Sequence, residues 1–369
     1  MSEKSTYAYK EPLFHVTKRD EIHLGKAFSI RIVSFLLSLL VCGIVIVLIT
    51  RLNPLEVYKG IFDGALGTSR RSWVTIRDTM VLLIVAIAIT PAFKMRFWNV
   101  GAEGQVLIGG VVTAAVMISL GGNVPGWLLI LIMMIVSVLA GAVWGLIPAI
   151  FRARWNTNET LFTLMMNYIA MQVTTMCIVF WENPKGSNTV GIINLESKAG
   201  WIGKLGNMTY GWNVILVMTI TIGMYIYLKY TKQGYEVAVV GESENTAKYA
   251  GIHVKRVILR TMMISGGIAG LAGFLIVSGS SHTISTSTAG GRGFTAIIVC
   301  WLAKFNPFIM ILISFLLVFL EKGSIQIASQ FNLNENLSEV ITGIILFFIL
   351  GTDFFINYKI KRSIKKEGK

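Results

Sequence analysis

Residues 97–105, FWNVGAEGQ, place amide and carboxylate side chains between two long apolar runs. Glu103 is the most informative of them, because an ionised carboxylate inside hydrocarbon costs several kcal/mol. It must therefore lie near a membrane interface, be protonated, or face a polar cavity. One interpretation is a break before a helix that lines a polar path, made possible by the two glycines. The other is a tight cytoplasmic turn in which Glu103 caps the helix that follows it.

Two further polar clusters lie beside apolar runs. In the first, Thr163 and Asn167 stand four residues apart and share one helix face, so they either bond to a neighbouring helix or line a transport route. In the second, AGGRGF at 289–294, the charge of Arg292 requires water, a polar cavity or an acidic partner. In the functional interpretation of these clusters, a polar path is lined by Asn99, Glu103, Gln105, Asn167 and Arg292. In the structural one, these side chains cap helices or bond to neighbouring helices.

The chain lacks the residue patterns of an enzyme or a metal site. It contains no G-x-x-x-x-G-K-[ST] loop, and its four histidines are scattered without metal-ligand spacing. Ser281 and His282 are adjacent, but a nucleophile and its base must meet in space rather than in sequence. The three cysteines each fall in an apolar run and are expected to be buried hydrophobic side chains. We therefore predict no catalytic residue, cofactor or metal.

The composition is that of an integral membrane protein. The 369 residues are 54% hydrophobic and only 14% charged, whereas soluble domains carry about 25% charged residues. The net charge of +14 is concentrated in the termini and beside apolar runs, where Lys and Arg set topology and meet anionic lipid. This distribution argues against nucleic-acid binding.

Apolar runs of about 20 residues, the length that crosses hydrocarbon as a helix, define an all-α transmembrane domain at 28–357. Basic tails at 1–27 and 358–369 are expected in the cytoplasm, which requires an even number of crossings and favours about ten. The segment 182–210 is then an extracellular loop, and 229–256 is cytoplasmic. Four basic residues fall on the outer side against the positive-inside rule: Arg51, Lys59, Arg70 and Arg71. The expected crossings are 28–50, 73–93, 104–120, 127–150, 161–181, 212–228, 257–279, 294–303, 307–320 and 340–357, with a short interfacial helix at 54–62.

A short helix is predicted inside the cytoplasmic segment. Ser243 suits the N-cap, Glu244 the first turn, Lys248 the last turn and Gly251 the stop. The helix is either a lone surface element or a docking site for a soluble partner. Its candidate residues are Ser243, Glu244, Asn245, Ala247, Lys248, Tyr249 and Gly251.

Small residues repeat every four positions on two spans, which lets helix backbones approach closely in lipid. The packing positions expected from this pattern are Gly141 and Gly145 on one span, and Gly266 and Gly270 on another.

The polar clusters in their order form a pattern that resembles the permease subunit of bacterial ABC importers for nucleosides and simple sugars. The segments that carry the resemblance are FWNVGAEGQVLIGG, NETLFTLMMNYIA, TKQGYEVAVVGESENTAKYAGIHVKR with ISGGIAGLAGF, and GRGFTAIIVCWLAKFNP. It extends over about residues 54–350 and reaches the wider superfamily of ribose and branched-chain amino-acid permeases. NETLFTLMMNYIA is most similar to the nucleoside permeases.

The resemblance implies a type II importer permease of ten helices in the bacterial cytoplasmic membrane. It implies ATPase subunits, a second permease that is identical or related, and a substrate-binding lipoprotein, with ATP hydrolysed on a partner chain. It also implies that residues 243–251 form the coupling helix that docks on the ATPase. The alternative is a secondary transporter driven by an ion gradient, with Glu103 as the coupling site.

Overall fold

The computed structural model describes residues 14–18, 24–333, 340–341, 343–344, 347–348, 351 and 358–362. These residues belong to two compact units, one of residues 65–319 and one of the described parts of 1–64 and 320–369. The helices confirm the all-α class. In chain order they are α1 (Leu24–Thr50), α2 (Pro54–Leu66), α3 (Ser69–Lys94), α4 (Ala102–Leu120), α5 (Gly126–Trp155), α6 (Glu159–Trp181), α7 (Gly211–Tyr230), α8 (Lys232–Glu242), α9 (Glu244–Tyr249), α10 (Val254–Ile276), α11 (Arg292–Leu302) and α12 (Pro307–Gln330).

Eight of the described helices are long and apolar enough to cross a membrane: α1, α3, α4, α5, α6, α7, α10 and α12. The helix α11 has only 11 residues, about 16 Å at 1.5 Å per residue, which is long enough for only about half of a bilayer's hydrocarbon. The predicted crossing at 340–357 lies largely outside the described residues.

Three sequence expectations need correction. The predicted span 307–320 continues to Gln330, because Gly323 and its polar neighbours pack against α2; a Cβ at Gly323 would lie 2.3 Å from Ile61 Cγ2. The helix α8 was not predicted at all. Its glycines argue against a helix by propensity, yet Gly234 allows close packing on α7, where an added Cβ would lie 2.3 Å from Tyr227 O.

The third correction concerns the tails, in which the sequence predicts no strand. Strand β1 (Phe14–Lys18) pairs antiparallel with β2 (Tyr358–Arg362), with Phe14 opposite Arg362 and Lys18 opposite Tyr358. Both segments, FHVTK and YKIKR, alternate apolar and polar residues, and this period of two is typical of a strand. The pairing depends on two segments at opposite ends of the chain, so neither segment alone predicts it.

The most buried helices of the 65–319 unit are α3 and α10, whose apolar windows are 89% and 83% buried. Glycines bring α10 into backbone contact with α5. A Cβ at Gly266 would lie 2.3 Å from Gly141 O, and a Cβ at Gly270 would lie 2.2 Å from Ser137 O. After Ile276 the helix continues as a π-helical turn, Val277–Ser281.

This contact makes Gly266→Ala destabilising. The added methyl group meets only backbone atoms of α5, which cannot rotate away, and such overpacking costs about 1–3 kcal/mol. We expect a clear drop in the thermal unfolding midpoint of the purified chain in detergent. Gly223→Ala on α7 is the control, because no heavy atom lies within 4 Å of its added Cβ. Equal midpoints for the two variants would contradict the packing assignment.

Candidate functional site

The segment between α3 and α4 turns back into the bundle and buries its amide. Arg96 adopts a left-handed conformation with φ 59°, and Phe97 N donates to Ala92 O. Asn99 is fully buried. Its Nδ2 donates to Ser265 Oγ on α10 at 3.1 Å and to Gln105 Oε1 at 3.3 Å. The structure therefore brings the two predicted amides together and adds Ser265 as a third member of the cluster.

The predicted polar face of α6 holds the start of α4. Asn167 Oδ1 accepts from Gly104 N at 2.8 Å, and Asn167 Nδ2 donates to Val100 O at 3.0 Å. Thr163 Oγ1 accepts from Val100 N at 3.2 Å. Both ends of the Asn167 amide are thus engaged with backbone, so Asn167 fixes the entry of α4.

The side chain of Glu103 caps the start of α11. Its two carboxylate oxygens accept from Gly291 N at 2.7 Å and Gly293 N at 2.8 Å. These N–H groups lie at the start of α11, where unsatisfied donors and the helix dipole favour an anion. A Cβ at Gly293 would lie 2.6 Å from Glu103 N, so the close approach requires glycine. Glu103 also lies in the first turn of α4, as the interpretation of a turn before this helix predicts, while its hydrogen bonds go to the start of α11.

Arg292 has an acidic partner, Asp78. Its Nη2 lies 3.5 Å from Asp78 Oδ1 on α3, and Asp78 also pairs with Arg77 Nε at 2.9 Å. The Asp78 side chain is only 3% exposed, and breaking a buried pair of this kind is strongly destabilising. Glu103 binds the backbone of Gly291 and Gly293 on either side of Arg292. Arg77, Asp78, Arg292 and Glu103 thus form a line of charged residues whose formal charges sum to zero.

Sequence analysis missed Asp78 and Arg77, although a signal was present. They are adjacent charges within the α3 sequence SRRSWVTIRDTMVLLIVAIAITPAFK, and a charge inside a membrane span marks a functional or structural site.

The predicted short helix exists as α9, six residues long. Ser243 caps it by accepting from Thr246 N at 3.2 Å, and Gly251 follows with φ 76°. Ala247 on its inner face is fully buried in an apolar cluster with residues of α3, α8 and α10. Tyr249 on its outer face is 93% exposed. The helix is thus fixed to the bundle on one side and presents an aromatic ring on the other.

Arg152, in the last turn of α5, connects α9 to α6. Its Nη2 lies 3.5 Å from Glu244 Oε1 on α9, and its Nε lies 3.5 Å from Glu159 Oε2 in the first turn of α6. Thr163 and Asn167 on α6 in turn bond to the start of α4, and Glu103 on α4 bonds to the start of α11. A continuous series of contacts therefore connects α9 to α11.

The adjacent serine and histidine do not form a catalytic pair. Ser281 Oγ donates to Ile276 O and Thr283 O, while the His282 ring stacks on Trp201 with 3.7 Å between centroids. Burial lowers the pKa of the His282 imidazole. Among the described residues, no group of three or more His, Cys, Asp or Glu side chains is arranged to hold a metal ion.

A bundle of membrane-spanning helices with a neutral buried polar line, a short protruding helix and no nucleotide-binding loop in its sequence has the architecture of a membrane permease. The family model described as "Branched-chain amino acid transport system / permease component" matches residues 74–350. The chain belongs to this family.

Three similar proteins are named as ABC transporter permeases. The nucleoside permease NupB of Lactococcus lactis is 29% identical, over 83% of this chain and 86% of its own length. The guanosine permease NupP of Bacillus subtilis is 26% identical, over 89% and 94%. A glucose permease of Haloferax volcanii is 24% identical, over 93% and 92%. No solved structure matches the chain.

The chain is therefore the permease subunit of an ABC importer and a multi-pass protein of the cytoplasmic membrane. It is a transport component, and ATP hydrolysis and substrate capture belong to separate partners.

Proposed function

We propose that this permease carries nucleosides inward, delivered to its outer face by a substrate-binding lipoprotein. The observation that carries the proposal is that two relatives, matched over 83% and 89% of this chain, are named for nucleosides or guanosine. The glucose relative makes a simple sugar the second candidate. A second permease subunit, identical or related, completes the membrane unit.

The proposed motor contact is α9, with the residues from Ser243 to Gly251 as the coupling helix. Its inner face is fixed by the buried Ala247 and its outer face presents Tyr249. An ATPase that binds the outer face and moves α9 acts through Arg152 on α6, because Arg152 lies between Glu244 and Glu159.

The proposed gate is the meeting point of α4 and α11 within the polar route of Asn99, Glu103, Gln105, Asn167 and Arg292. Movement of α6 is transmitted to residues 100–104 by Thr163 and Asn167. Because Glu103 holds the start of α11 through two backbone N–H groups, a shift of α4 carries α11 with it. This rigid coupling is suited to alternating access, in which packed elements switch between two discrete arrangements.

The geometry of Glu103 disfavours the ion-gradient alternative. A coupling carboxylate must be open to its proton or cation, whereas both oxygens of Glu103 accept backbone hydrogen bonds and the residue is 9% exposed. Glu103 thus positions a helix.

Uptake in sealed vesicles tests the energy source. We expect accumulation of tritiated guanosine to require the co-expressed ATPase and ATP, and to continue when an uncoupler removes the proton gradient. Ligand identification by mass spectrometry on the co-purified binding partner tests the substrate and distinguishes a nucleoside from a sugar. Accumulation by the purified chain alone, driven only by a proton or sodium gradient, would refute the proposal.

A further inference from the structure

A cleft of about 400 Å³ opens between the first turns of α3 and the segment that leads into α7. It lies at the end of α3 opposite Lys94, whose carbonyl packs against Gly241 of α8. The cleft is therefore remote from the coupling helix and, in the proposed orientation, faces outward. The side chains that define its chemistry are Arg70, Trp73, Arg77, Asn207, Thr209 and Tyr210.

The floor of the cleft is preorganised around Arg77. Its Nη1 donates to Tyr210 Oη at 3.3 Å, and its guanidinium carbon lies 5.2 Å from the centroid of the Tyr210 ring. Its Nε is held by Asp78 at 2.9 Å. Arg77 therefore meets a ligand in a fixed orientation, which reduces the entropy lost on binding.

The same floor connects the cleft to the gate. Asp78, which holds Arg77, also lies 3.5 Å from Arg292 Nη2, and the residues on either side of Arg292 bind Glu103. A solute in the cleft thus sits at the outer end of the line of paired charges that reaches the start of α11.

The position of Arg70 supports a binding role. The sequence places it on the outer side, against the positive-inside rule, and the structure places it, exposed, in the wall of the cleft. The positive-inside rule disfavours an arginine on the outer side, and a contact with a ligand would explain why Arg70 is there.

We propose that this cleft is the outer entry site of the transport route and that it takes a nucleoside. This rests on the proposed function and deepens it. The base stacks on the Trp73 indole, its carbonyl and ring-nitrogen acceptors receive N–H groups from Arg70 and Arg77, and the ribose hydroxyls bond to Asn207 and Thr209. Bases are commonly recognised by aromatic and guanidinium planes, and the volume lies within the range of small-molecule sites. The guanidinium groups of Arg70 and Arg77 beside Trp73 offer N–H donors in the plane of a stacked base, whose ring-nitrogen and carbonyl acceptors a hexose lacks.

The test uses the assembled importer with its ATPase and binding partner. Trp73→Ala is expected to lower uptake of tritiated guanosine at sub-saturating concentration about tenfold, since the loss of base stacking on one aromatic side chain weakens binding roughly 5- to 150-fold. Arg70→Gln, at an exposed position that leaves folding intact, is expected to lower it several-fold. Trp127→Ala is the matched control, because Trp127 is 71% exposed at the start of α5 and outside the cleft; it should leave uptake unchanged.

Photolabelling locates the solute directly. Tritiated 8-azidoguanosine should label a peptide of the cleft, around residues 69–77 or 207–210, and excess guanosine but not glucose should remove the label. If guanosine is imported but the label falls elsewhere and Trp73→Ala transports normally, the entry site is refuted while the proposed function stands. If the wild-type importer neither transports nor binds guanosine, the proposed function fails and the entry site fails with it.

Discussion

Tyr249→Asp is expected to reduce ATP-driven uptake by tenfold or more, and deletion of residues 243–251 to abolish it. Tyr249 is 93% exposed, so its replacement changes the stability of the chain by no more than about 0.5 kcal/mol. Tyrosine is one of the residue types that contribute most to protein interfaces, and here it is presented by a short helix whose opposite face is buried at Ala247. The loss therefore falls on ATPase docking and not on folding.

Co-purification separates the two effects. The variant should reach the membrane in normal amount and unfold at the normal temperature, but retain much less ATPase after solubilisation. Tyr235→Asp is the matched control, because Tyr235 is 65% exposed and lies on α8 instead of α9. Normal ATPase recovery and normal uptake with Tyr249→Asp would show that α9 is not the docking element.

The membrane-spanning helices can be predicted from the sequence because crossing hydrocarbon requires about 20 consecutive apolar residues, and such a stretch is visible in the sequence itself. The observed α4 and α6 begin within two residues of the predicted spans, at Ala102 and Glu159. The cap of α9 was equally predictable, because Ser243 bonds to Thr246, only three residues away. Local chemistry of this kind needs no knowledge of the rest of the chain.

The partners of the buried polar groups could not be predicted, because they depend on tertiary contacts. Glu103 accepts hydrogen bonds from backbone groups 188 and 190 residues away in sequence. The sequence around a carboxylate at a helix start does not show which helix its oxygens cap. Asp78 was missed for a related reason. The sequence offers it Arg77 as a neighbour, whereas its second partner, Arg292, emerges only when α11 lies beside α3.

The helix α8 was missed because its glycines disfavour a helix by intrinsic propensity. Intrinsic propensity counts each glycine against a helix by about 1 kcal/mol, but Gly241 allows α8 to lie against Lys94 O, where an added Cβ would be 2.2 Å away. Backbone packing outweighs propensity there, and only the assembled bundle reveals it.

Glu103→Ala is expected to lower uptake about a hundredfold and to destabilise the chain. It leaves the N–H groups of Gly291 and Gly293 without their acceptor, and each unsatisfied buried donor costs about 1–3 kcal/mol. It also removes the anion from the start of α11, so α11 no longer follows α4. The measurements are guanosine uptake by the full importer and the thermal unfolding midpoint, with Glu196→Ala in the exposed 182–210 segment as the control.

Glu103→Gln distinguishes a positioning carboxylate from an ion-coupling one. Glutamine offers one carbonyl oxygen to Gly291 N or Gly293 N, so it preserves part of the cap, and we expect uptake between those of wild type and Glu103→Ala. The remaining uptake should still depend on ATP and ignore uncouplers. An ion-coupling glutamate predicts a different order, with glutamine as inactive as alanine because neither carries a titratable proton. Equal and complete loss in both variants, with normal unfolding midpoints, would overturn the assignment of Glu103 as the link between α4 and α11.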